Sequence, residues 1–105
     1  MTPSQRQSLI DHLRASLKTA YQQALDADRQ LDALASENLA QFDAVLKPGQ
    51  GFDTEANRFK PYVEELAQQL LTLEKEDDIA PALAEVTKQL QLLLHTLARF
   101  KRLQR

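Results

Sequence analysis

Between Ile10 and Leu34 the apolar or small residues fall at Ile10, Leu13, Leu17, Ala20, Ala24, Ala27, Leu31 and Leu34, in alternating steps of three and four. Only an α-helix returns side chains to one face at that spacing; a strand would need steps of two. A second seam runs through Ile79, Leu83, Val86, Leu90, Leu93, Leu97 and Phe100, and a third through Phe59, Val63, Leu66, Leu70 and Leu73. Each stripe has to be buried against another. The spacing therefore predicts an all-α fold, an up-down bundle of three to four amphipathic helices with a long N-terminal helix. With only two glycines in 105 residues, tight hairpin turns have few places to form and no sheet is expected.

The ends of these helices are also written in the chain. Thr2-Pro3-Ser4-Gln5 has the form of a capping box with proline in the first turn, so helix 1 starts near residue 3. Its seam slips after Leu34 and continues through Ala35, Leu39, Phe42 and Leu46. The helix is thus expected over about 3–47, with a candidate break near Ser36 and a turn over 48–53 set by Pro48, Gly49 and Gly51. Helix 2 is expected over about 54–76, beginning with a short turn capped by Asp53 or Thr54 before Pro61 sets its main body. Helix 3, capped by Asp77 or Asp78 and tolerating Pro81 in its first turn, is expected over about 79–104. An unbroken helix 1 would be about 67 Å long at ~1.5 Å per residue, more than the other two can cover, which argues for a bend in it, for a homodimer, or for an exposed seam offered to a partner.

A chain of 105 residues reads as a single helical domain, 1–105. It has no cysteine, and MTPSQRQSLIDHLR lacks the apolar core of a signal peptide, so a cytoplasmic protein without a membrane span is expected. His12 and His95 lack metal-ligand spacing, there is no phosphate loop, and EKEDD at 74–78 lacks the glycine and alternating ligands of a calcium loop. The residues thus point to no enzyme, no metal, no cofactor and no small-molecule substrate. The net charge of −2 is unevenly spread: residues 1–78 carry 8 basic and 14 acidic side chains, residues 79–105 carry 5 and 1. Lys88, His95 and Arg102 lie seven residues apart on one side of helix 3, with Arg99 and Arg105 beside them, a stripe suited to phosphates or an acidic tail, and Lys101 is a further candidate contact. Leu92 and Leu94 widen the apolar face of that helix and are candidate protein contacts.

The stretch PGQGFDTEANRFKPYVEE, 48–65, gathers Phe52, Phe59 and Tyr62 around the cations Arg58 and Lys60. These aromatics either plug one end of the bundle or line a shallow pocket for an unstacked base or an acidic peptide. Phe59, Pro61, Tyr62, Glu65, Leu70 and Leu73, in the order helix, FD, then FKPYVEELAQQLLTL, resemble the N-terminal half of the PriC family of primosomal replication-restart proteins over about residues 9–97. The resemblance implies a helical accessory factor that recognises single-stranded DNA and single-strand-binding protein at arrested forks and helps to load the replicative helicase. The residues by themselves leave open a helical adaptor or a secretion- or flagellar-type chaperone that self-associates or binds a partner helix.

Overall fold

The computed structural model describes residues 2–36 and 51–103, and among them every regular element is helical. Three helices, α1 (Pro3–Ser36), α2 (Lys60–Glu74) and α3 (Ala80–Leu103), each pack against the other two. Arg6 near the start of α1 meets the end of α2, whereas Asp28 meets its beginning, so α1 and α2 run in opposite directions. Phe59 packs on Phe100, and Glu65 meets Gln89, so α3 reverses again and runs parallel to α1. No described helix is long and apolar enough to cross a membrane.

The three apolar seams face inward. Ile10, Leu13, Ala20, Ala24, Ala27 and Leu31 of α1 are buried, as are Val63, Leu66, Leu70 and Leu73 of α2 and Val86, Leu90, Leu93 and Leu97 of α3. Leu17, Leu83 and Phe100 are partly buried at the margins of the same cluster. The start of α1 is the expected reciprocal cap: the Thr2 N–H donates to Gln5 Oε1 at 3.0 Å and the Gln5 N–H to Thr2 Oγ1 at 3.1 Å. At α3 the Ala80 N–H donates to Asp78 Oδ1 at 3.1 Å, so of the two candidate aspartates it is Asp78 that caps.

The boundaries of helix 2 differ from the expected 54–76. Residues 51–59 form bends and irregular chain, and neither Asp53 nor Thr54 caps a helical turn. The N–H groups of this stretch have distant acceptors instead, and the Phe59 N–H, which a helix over 54–76 would give to the Glu55 carbonyl, goes to Asp28. Those of Asp53 and Thr54 donate to the Glu65 carboxylate at 3.1 and 2.6 Å, and that of Ala56 donates to the Tyr62 hydroxyl at 3.1 Å. At the other end α2 stops at Glu74, where the N–H groups of Lys75 and Glu76 turn back to the carbonyls of Thr72 and Leu73. For helix 1, the expected extension to Lys47 and the turn residues Pro48 and Gly49 lie outside the described residues. Over what is described, α1 has 34 residues and α3 has 24, about 51 and 36 Å at ~1.5 Å per residue.

Leu70→Ala and Leu93→Ala each empty a buried position where the seams meet, and each is expected to lower stability by about 2–5 kcal/mol. Urea unfolding followed by circular dichroism measures this; a loss below about 0.5 kcal/mol at both would place the seams on the wrong face.

Candidate binding surface

The aromatic cluster of the 51–62 stretch is core. Phe52, Phe59 and Tyr62 are 5%, 2% and 0% exposed, so they plug the helix packing and line no open pocket. Phe52 meets Tyr62 edge to face at 5.4 Å between ring centroids. The Tyr62 hydroxyl both accepts from the Ala56 N–H and donates to the Ala56 carbonyl, each at 3.1 Å, which satisfies its polar end inside the fold. Asp28 bonds to the backbone at Phe59, and the buried Ala24 and Ala27 lie on α1 about one turn from Asp28, in the same core cluster as the rings.

Asp28 is the functional cap of α2, although it sits on another helix. Phe59, the residue before α2, has helical backbone angles and no side-chain cap of its own. The Asp28 carboxylate instead accepts the N–H groups of Phe59 and Lys60 at 2.6 and 3.0 Å. Next to it Arg58 donates to Asp32 and to the Asn57 carbonyl, both at 2.8 Å, which makes it a tie between segments; Lys60 is exposed. Gly51, at φ +116°, adopts a backbone conformation that side chains disfavour, and its carbonyl accepts from Gln89 Nε2 at 2.8 Å. A Cβ on Gly51 would lie 3.8 Å from Leu92 Cδ2. Leu92 is thus partly covered by the protein's own chain, and Leu94 is half-buried against the core, so both contribute packing inside the fold.

The cations of α3 are placed differently. Lys88, Arg99, Lys101 and Arg102 are exposed, as are His95 and His12; Arg105 lies outside the described residues. The described ion pairs, Arg14–Glu74, Arg29–Asp26 and Arg58–Asp32, use none of the α3 cations. Among the described residues no group of three or more His, Asp or Glu side chains could hold a metal ion.

An open cleft of about 490 Å³, which the seams and charges of the sequence do not announce, lies between the second half of α1 and the end of α3. Buried Ala27 and Leu97 and half-buried Phe100 contribute its apolar lining, and exposed Gln23, Gln30 and Lys101 border it. The one signal in the chain is the flank of the α1 seam, where Gln23 and Gln30 stand seven residues apart on one helix face beside Ala27. No family model, curated protein or solved structure matches the chain.

Asp28→Ala removes the acceptor at the start of α2 and is expected to cost about 1 kcal/mol, within the usual 0.5–2 for a helix cap. Asp28→Asn keeps one of the two acceptor oxygens, turns the other into an NH2 donor facing an N–H, and is expected to recover only part of that loss. Amide exchange at Phe59 and Lys60 should quicken in the alanine variant, and unchanged protection at both would exclude this capping role.

Proposed function

We propose that this chain is a non-enzymatic binding protein, an up-down three-helix bundle of the replication-restart accessory type that acts in the cytoplasm. In this reading it contacts single-stranded DNA or the acidic tail of single-strand-binding protein and assists loading of the replicative helicase. The observation that carries the reading is the basic side of α3, where Lys88, Arg99 and Arg102 are exposed on one face, Lys101 is exposed at the neighbouring cleft, and no carboxylate side chain occurs after Glu85. A polyanion is attracted to such a face because neutralising its phosphates releases counterions. The resemblance at Phe59-Lys60-Pro61-Tyr62 supports the assignment to restart. Burial of those aromatics limits them to holding the fold that presents the basic face.

A second reading, a helical adaptor that self-associates or takes a partner helix, draws on the exposed apolar side chains Leu9, Tyr21 and Leu71. The two readings separate in one set of titrations. Anisotropy of a fluorescent oligo-dT strand at low salt should report binding that weakens steeply as salt rises. Reversing charge at Arg99, Lys101 and Arg102 together should weaken it and flatten the log–log salt dependence by roughly 0.7 for each phosphate that is no longer neutralised. Absence of binding both to the strand and to an acidic peptide ending in Phe would remove the restart reading and leave the adaptor.

A further inference from the structure

We infer that the cleft between α1 and the end of α3 seats one unstacked nucleobase of a single strand, with the adjoining phosphates on Lys101 and Arg102. The inference rests on the binding reading above and gives it a place on the molecule. A base offers a flat apolar face for stacking and a polar edge for hydrogen bonds, while its strand brings a phosphate on either side. Each of these has a counterpart in the cleft. Phe100 is half-buried, and its ring is braced by Phe59, with centroids 5.5 Å apart and planes at 54°, so it is held as a platform.

The aromatics that the sequence singles out cannot take this part, since Phe52, Phe59 and Tyr62 are all buried. Ala27 and Ala98 keep the cleft open by their small size, and the amides of Gln23 and Gln30 at its border offer both donors and acceptors to a base edge. The charges also fit. Asp26, the carboxylate in the lining, is paired with Arg29, while Lys101 stands at the cleft and Arg102 lies one turn beyond Ala98. A volume of about 490 Å³ falls within the ~300–1,000 Å³ of small-ligand sites and suits a nucleotide better than a partner helix, which needs a long groove.

The test uses the full chain and two probes, fluorescent oligo-dT and a strand carrying 2-aminopurine, whose emission falls on stacking. Phe100→Leu keeps apolar volume against Phe59 but removes the stacking face, and should weaken oligo-dT binding about five- to a hundredfold with an unchanged salt slope. Phe100→Tyr should restore binding and the quenching of 2-aminopurine. Ala98→Leu fills the cleft from an exposed position and should weaken binding in the same way, which keeps the test valid if Phe100→Leu melts early. Wild-type affinity in both Phe100→Leu and Ala98→Leu, with oligo-dT still bound, overturns the cleft and leaves the restart reading standing. A wild-type protein that binds no oligo-dT at low salt overturns the cleft, and if it also ignores the acidic peptide the restart reading falls with it. If instead Ala98→Leu abolishes binding of the acidic peptide and spares oligo-dT, the cleft belongs to a protein tail and the inference is wrong.

Discussion

The contact between Asp28 and the first N–H groups of α2 fixes the arrangement of everything else. A 15-residue helix is marginal by itself in water, and this one has no side-chain cap from the residue that precedes it. α1 supplies what is missing at both ends: Asp28 accepts from Phe59 and Lys60, and the Arg6 guanidinium donates to the carbonyls of Glu74 and Asp77 at 2.9 and 3.0 Å. Such bonds contribute about 1 kcal/mol each, far less than burial of the apolar seams. Their importance is positional, because apolar seams can slide by a turn and remain apolar, whereas a carboxylate has to meet the N–H groups and a guanidinium the carbonyls. Fastened at both ends, α2 has one register on α1, and that register sets Tyr62 beneath the 51–58 segment and Phe59 against Phe100.

The helices are legible in the chain because their signals are local and repeat. Seam residues such as Leu66, Leu73 and Leu93 recur every three or four positions, and Thr2 with Gln5 forms a cap within one turn. The segment 54–59 reads as helix and is not one, because what prevents the helix is remote. Asp28 takes the N–H of Phe59 from 31 residues away, a donor that an unbroken helix would give to Glu55. Nothing within a helical turn of Thr54 announces this. The sequence also shows that Phe52, Phe59 and Tyr62 are gathered, but gathering does not tell inside from outside. That depends on what the other helices bring against them, and here the three rings share the core cluster with seam residues of all three helices.

The basic stripe is legible for the same reason as the seams, since Lys88, His95 and Arg102 share a helical face and all three are exposed. The cleft is not, because Gln23 and Gln30 are separated from Phe100 and Lys101 by about 70 residues and meet only once α1 and α3 run parallel. The acidic side chains and the basic ones also divide the work. Asp28, Asp32, Glu65 and Glu74 are engaged in holding segments together, while the cations of α3 face outward, so the formal excess of negative charge understates how positive that surface is.

That parallel course of α1 and α3 has an electrostatic consequence. The peptide dipoles of both helices sum in the same direction, with the negative pole toward the C-terminal side of each. Side by side such dipoles repel, and α2, running the other way between its two fastenings, relieves part of the repulsion. Lys101 and Arg102, in the last turn of α3, act first on this local partial charge. The field felt by an approaching anion at that end is therefore weaker than a count of cations suggests, while Lys88, more than three turns earlier on the helix, keeps nearly its full reach.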